Sequence, residues 1–99
     1  MRSAIQTQKT PNSHWHPNWD RLRKEKQFAK AHAFKFAQLT KREIEILGLV
    51  AQGISNPQIA QQLFISRNTV EQHRKNINRK LETNNMYTLI RYAQAFRLV

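Results

Sequence analysis

The sequence predicts an all-α fold: a four-helix bundle containing a helix-turn-helix, preceded by a basic N-terminal helical extension. Three observations predict it. From Leu39 onward, apolar residues recur every third or fourth position, which is the helical period. Two capping sequences, T-x-x-E at Thr40–Glu43 and S-x-x-Q at Ser55–Gln58, mark helix starts. No stretch of convincing length alternates apolar and polar residues as a half-buried strand does.

Residues 1–17 read as a flexible tail, with Pro11, Pro17, Asn, Ser and Thr and no periodicity. His14 and His16 lie two apart there, with His32 later. Without cysteine and with few acids, these histidines make a weak ligand set, and no metal is expected. Trp15 or Trp19 is expected to pack on the domain or a partner. Residues 18–37 read as a basic helix, a linker or extension. Asn18 is its expected N-cap, and Asp20 suits the positive end of the helix dipole. Leu22, Ala29, Ala33 and Phe36 form its thin apolar stripe.

Residues 38–99 form the predicted domain. Its first helix starts at the Thr40–Glu43 box, turns Glu43, Ile46, Leu47 and Val50 to one face, and stops at Gly53. The second starts at the Ser55–Gln58 box. It tolerates Pro57 in its first turn, faces inward with Ile59, Ala60 and Leu63, and ends near Phe64. Ser66 caps the third, only about three residues after Leu63, which gives the helix-turn-helix spacing. The fourth runs from about Asn85 or Met86 to Arg97, with Met86, Leu89, Ile90, Ala93 and Phe96 inward.

Charge narrows the partners. Lys and Arg number 17 against 6 Asp and Glu, a formal net charge of +11. The excess is shared: residues 1–39 carry eight of the bases and two of the acids. A positive balance over both halves predicts attraction to polyanions, nucleic acid before anionic membrane. The absence of cysteine excludes disulfides and thiolate chemistry and fits the cytoplasm. No apolar run approaches the roughly 20 residues a bilayer span needs, so no membrane partner is expected.

The stretch SRNTVEQHRKNINRKL, Ser66 to Leu81, carries the function. With Val70 inward, Ile77 and Leu81 point the same way, and His73 and Arg74 flank them. The opposite face holds Asn68, Glu71, Gln72, Lys75 and Arg79, with almost no apolar surface. Gln pairs with adenine in a major groove, Lys with guanine, and Glu accepts from the cytosine amino group. The alternative is a solvated face on which Glu71 and Lys75 form an i,i+4 pair. His73 is expected to be structural, since no carboxylate pair, nucleophile–base set or phosphate loop accompanies it. No enzyme and no cofactor are expected.

These residues resemble the LuxR-type helix-turn-helix domain, also called the GerE or NarL type. The agreement lies in Leu39-Thr40, Arg42-Glu43, Glu45-Ile46-Leu47, Ala51, Gly53, Ser55-Asn56, Ile59-Ala60, Leu63, Ser66, Thr69-Val70, His73 and Lys80-Leu81, over roughly residues 38–99. The resemblance implies the sequence-specific DNA-binding output domain of a bacterial transcriptional regulator, with its third helix in the major groove. It implies base reading by Glu71, Gln72 and Lys75. It implies backbone contacts from Asn56, Ser66, Arg67, Asn68, Thr69, Arg74, Arg79 and Lys80. It implies a homodimer on double-stranded DNA through the fourth helix, and leaves room for contact with RNA polymerase. Tyr87, Arg91, Gln94 and Leu98 point away from that helix's inner stripe and are the expected interface, with ordinary surface as the alternative. Four departures from the common pattern stand out: Pro57 and Glu71 where Lys is frequent, Asn85-Met86 where Asn-Arg is frequent, and Glu82 where Gly is common. The resemblance also implies a preceding input domain, so the chain is expected to be either a stand-alone regulator or a piece of a longer one. A sigma-factor region shares the helical shape and charge, though the two capping boxes favour the LuxR type. A protein-interaction module, in which the basic extension binds an acidic partner, is the alternative from a different class.

Overall fold

A computed structural model describes residues 17–99; the expectations for His14, Trp15 and His16 lie outside the described residues. Five helices follow in order: α1 (Pro17–Phe36), α2 (Lys41–Ala51), α3 (Asn56–Leu63), α4 (Arg67–Leu81) and α5 (Met86–Ala95). Among the described residues there is no strand. None of the described helices is long and apolar enough to cross a membrane.

The helix starts follow from the caps. The Thr40 hydroxyl accepts from the Glu43 N–H at 3.1 Å, and the Glu43 carboxylate accepts from the Thr40 N–H at 2.9 Å. Ser55 and Gln58 repeat this reciprocal pattern at 3.3 and 3.4 Å, with Pro57 in the first turn. Ser66 accepts from the Thr69 N–H at 3.0 Å, and Asn85 from the Thr88 N–H at 3.3 Å. Each cap satisfies a backbone donor that a helix start otherwise leaves open.

The helix ends are less uniform. Gly53 closes α2 at φ 86°, with its N–H on the Val50 carbonyl and the Ile54 N–H on that of Leu49. The same turn closes α3, α4 and the chain end at Phe64, Glu82 and Arg97, with φ 57°, 55° and 61°. Side chains in this left-handed region cost about 1–2 kcal/mol each, which glycine avoids. Glu82 thus adopts the glycine conformation while keeping a carboxylate.

Helices α2, α3, α4 and α5 enclose one core. Ile46, Leu47, Val50, Ile59, Val70, Ile77, Leu81, Leu89 and Ala93 are all buried within it. Each large aliphatic side chain buried this way contributes about 1.5–3 kcal/mol. α3 and α2 both pack on α4, and α5 packs on α2. The inner faces expected of α2, α3 and α4 are the ones found.

Two inner faces differ from expectation. On α5, Met86 is exposed and Tyr92 is buried instead. The helix turns Leu89, Tyr92 and Ala93 inward because it is covered on a second side, by α1. On α1, Leu22 and Ala33 are exposed, and the contact runs through Phe28, His32 and Phe36. Phe28 stacks on His32 at 3.9 Å and meets Tyr92 edge-on at 5.0 Å. Phe36 stacks on Phe96 at 3.9 Å. α1 also begins at Pro17, so Asn18 lies in its first turn rather than at its cap. Trp19 is exposed, not packed.

Candidate nucleic-acid interface

The polar face of α4 is built from its buried one. Val70, Ile77 and Leu81 are at most 2% exposed, which fixes the rotation of the helix about its axis. Asn68, Glu71, Gln72, Lys75 and Arg79 consequently all face solvent. Asn76 organises this face: its side-chain oxygen accepts from the Gln72 amide at 3.3 Å and from the Arg79 guanidinium at 3.4 Å. Glu71 and Lys75 do not form the i,i+4 pair. Among the described residues, neither head group has a hydrogen-bond or ion-pair partner. An acid and a base thus stand free, side by side with a braced amide, in the second and third turns of a helix with an open polar face.

The N-terminal end of α3 is tied to the middle of α4. Arg74 donates to the Asn56 side-chain oxygen at 2.8 Å, across 18 residues of sequence. Ser66 and Thr69 hydroxyls lie 2.8 Å apart at the start of α4, beside exposed Arg67 and Asn68. Two helix starts held at fixed separation present backbone N–H groups and positive dipole ends, the ordinary features of an anion-binding surface. Of the expected backbone-contact residues, Asn56 and Arg74 thus meet at the start of α3, while Ser66, Arg67, Asn68 and Thr69 lie at the start of α4. Arg79 lies further along the polar face of α4.

Lys80 is elsewhere. Its ammonium donates to the buried Glu43 carboxylate at 2.7 Å, joining α4 to α2. Burial pushes the Glu43 carboxyl up, but the Lys80 ammonium and the Thr40 N–H more than offset this, so its pKa lies below the ordinary 4.5. Sequence reading found Glu43 as a cap but missed this second role. The signal was available: an acid expected on an inner face needs a base, and Lys80 flanks the inner stripe of α4. His73, expected to cap or to bridge to a phosphate, has a buried Nδ1 without a partner among the described residues.

The four residues expected at a dimer interface do not share one face. The Arg91 guanidinium lies 4.4 Å over the Phe28 ring of α1. Tyr87, Arg91 and Gln94 line an open groove with Asp20, Arg21, Lys24 and Glu25 of that helix. Leu98 sits apart, packed toward Gly48 of α2, where a Cβ would lie 3.6 Å from its own.

Comparison with known proteins agrees with this architecture. The family described as bacterial regulatory proteins, luxR family, matches residues 37–93. The chain belongs to the luxR family. The matched segment contains α2, α3, α4 and most of α5, with the N-terminal caps of those helices and the polar-face residues of α4 described above. Among relatives of this luxR-family chain, the oxygen regulatory protein NreC of Staphylococcus carnosus (strain TM300) is 44% identical over 64 residues. The proteins of the same name from Staphylococcus haemolyticus (strain JCSC1435) and Staphylococcus aureus (strain JH9) show the same identity over the same length. Each match covers 65% of this chain and 30% of the relative, so the chain spans about a third of the length of these relatives. The family is one of transcription regulators rather than enzymes.

Proposed function

We propose that α4 enters the major groove of double-stranded DNA and reads its sequence, as the output of a bacterial transcriptional regulator acting in the cytoplasm. The observation that carries this reading is the free pair on the groove face: Glu71 and Lys75, unengaged, beside Gln72. A carboxylate there opposes nonspecific attraction to phosphates, so its presence favours a base contact such as a cytosine amino group. Gln72 suits adenine and Lys75 guanine. Asn56, Ser66, Arg67, Asn68, Thr69, Arg74 and Arg79 hold phosphates and fix the register, which positions the helix without itself specifying sequence. Lys80 remains with Glu43.

Selection of bound sequences from random duplex DNA tests this. The wild-type chain should enrich one motif. Glu71→Lys and Gln72→Ala should each change the preferred base at one position. Lys75→Ala should weaken the selected site by about 1–3 kcal/mol. Recovery of no motif, or of the same motif from all variants, would remove the reading. A homodimer on paired half-sites would meet through Tyr87 and Gln94 on the exposed part of α5, alongside α1. A palindromic selected motif supports it, and sedimentation with and without that duplex measures it. Contact with RNA polymerase would be read by pull-down of the core enzyme with the DNA-bound chain.

A further inference from the structure

We propose that the outer face of α1 is a second DNA-contacting surface, on which Arg23, Lys26 and Lys30 hold phosphates of the duplex flanking the segment under α4. This rests on the DNA-binding reading above and extends it to a helix outside the matched family segment, which begins at residue 37.

The inner face of α1 is fully committed. Phe28, His32 and Phe36 pack on α5 and the chain end, with the His32 Nδ1–H donating to the Phe28 carbonyl at 2.8 Å. Lys35 pairs with Glu82 at 3.2 Å, just past the end of α4, and Arg21 pairs with Glu25 at 3.5 Å. Lys24 lines the groove beside α5, and the outward side carries a row at spacings of three and four residues, Arg23, Lys26 and Lys30, all exposed. Lys26 and Lys30 meet no carboxylate among the described residues. Among the described residues Arg23 pairs only with Asp20, at 3.7 Å, with both side chains more than half exposed. Like charges at i,i+4 destabilise an isolated helix, and nothing among the described residues compensates the pair at Lys26 and Lys30. A polyanion would.

Geometry and chemistry favour DNA among polyanions. Lys35 anchors α1 beside the C-terminal end of α4, and the row runs from about 8 to about 18 Å along the axis from that anchor. That reach is about half a turn of B-DNA, whose turn is about 34–36 Å. A membrane-surface helix needs a continuous apolar face free to enter lipid; the Phe28 and Phe36 rings of α1 are spent on α5 and the chain end, and its exposed Trp19, Leu22 and Phe34 are interleaved with the bases.

The test uses the full chain with Arg23→Gln, Lys26→Gln and Lys30→Gln together, checked for unchanged helicity by circular dichroism. Binding is measured over a salt series on the selected site, once with a minimal duplex and once with half a turn added at each end. On the longer duplex, the wild type should show a plot of log affinity against log salt steeper by about 2–3 than the triple variant, at about 0.9 per phosphate neutralised. Base preference should not change. Phe34→Ala, which removes an exposed aromatic from the same face, should leave the slope alone. Equal slopes for wild type and triple variant would overturn the proposal. So would a loss on Phe34→Ala without one in the triple variant, which would assign the face to a protein. If the wild-type chain bound no duplex, the parent reading would fall and this one with it. Binding with an unchanged slope sinks this one alone.

Discussion

α1 and α4 are both basic helices, yet they use charge and packing in opposite ways. α1 carries two acids, and both sit beside an arginine one turn along: Asp20 with Arg23, Glu25 with Arg21. α4 carries one acid, Glu71, and leaves it unpaired. α4 packs through three aliphatic side chains that are all but sealed from water. α1 packs through a row of rings, with Phe28 8% exposed and Phe36 and His32 half-buried. Composition alone therefore does not distinguish a helix that presents chemistry from one that is mainly docked. The distinction lies in what neutralises the acids and how firmly the opposite face is fixed.

The firmness of α4 depends on its tie to α2, and that tie carries the largest expected effect. Glu43→Ala removes a cap and leaves the Lys80 ammonium half-buried without its carboxylate. The loss should be about 3–5 kcal/mol in urea unfolding, the cost of breaking a buried pair from one side. A loss below about 1 kcal/mol would show that α4 is held by apolar contact alone. Acid provides a second reading of the same bond. Folding lowers the Glu43 pKa, so its contribution is present above the unfolded value near 4.5 and is lost as pH falls through the folded value. The wild type should lose stability on that descent, and Glu43→Gln should flatten the loss.

Phe28→Ala probes the other helix. It removes a ring stacked on His32, edge-on to Tyr92 and beneath Arg91. The docking of α1 should weaken by about 3 kcal/mol, at the lower end of core Phe→Ala changes. Protease cleavage within α1 should accelerate while α2 to α5 still unfold cooperatively. Simultaneous loss of both would show that α1 belongs to the core rather than leaning on it.

A smaller effect has the opposite sign. Phe64, in the turn between α3 and α4, combines φ 57° with 93% exposure. Phe64→Gly relieves the left-handed strain and loses almost no burial, so stability should rise by about 0.5–1 kcal/mol. Thermal unfolding measures it. A fall would mean that the ring makes a contact worth more than the strain.

What was legible in the sequence was local. Thr40 with Glu43, Ser55 with Gln58, and Ser66 alone name their own helix starts, because a cap and its acceptor lie within one turn. The polar face of α4 was equally legible, because Val70, Ile77 and Leu81 fix its rotation by spacing alone. Contacts across the chain were not. A base on a helix flank looks the same whether it meets a phosphate or a buried acid 37 residues away, so Lys80 was placed with the phosphate contacts. Arg74 and Asn56 were each expected at DNA, but their mutual bond was invisible. On α1, counting Leu22 and Ala33 as apolar and His32 as polar rotated the expected stripe away from the ring seam. That error propagated: without α1 beside it, α5 had no reason to bury Tyr92 rather than Met86.

Tyr92 is the place where the two regions meet, and it sets the smallest expected effect. Its ring is 1% exposed, between Phe28 and His32 of α1 and Phe96 beyond its own helix. Its hydroxyl is buried with no hydrogen-bond partner among the described residues. A buried hydroxyl without a partner costs free energy, so Tyr92→Phe should be neutral or raise stability by up to about 1 kcal/mol near pH 7. Burial also pushes the phenol pKa above its ordinary 10.0; Lys35 opposes this and Glu82 adds to it. Folding thus favours the protonated form, so the contribution is complete below pH 10 and is lost as pH rises through the folded value. Melting temperatures of wild type and Tyr92→Phe should therefore diverge in alkali, the variant holding its stability where the wild type declines. Parallel decline would place the alkaline loss outside Tyr92. A variant that is weaker at pH 7 by more than about 1 kcal/mol would mean that the hydroxyl is satisfied by water, and that the seam between α1 and α5 is wetter than its ring packing suggests.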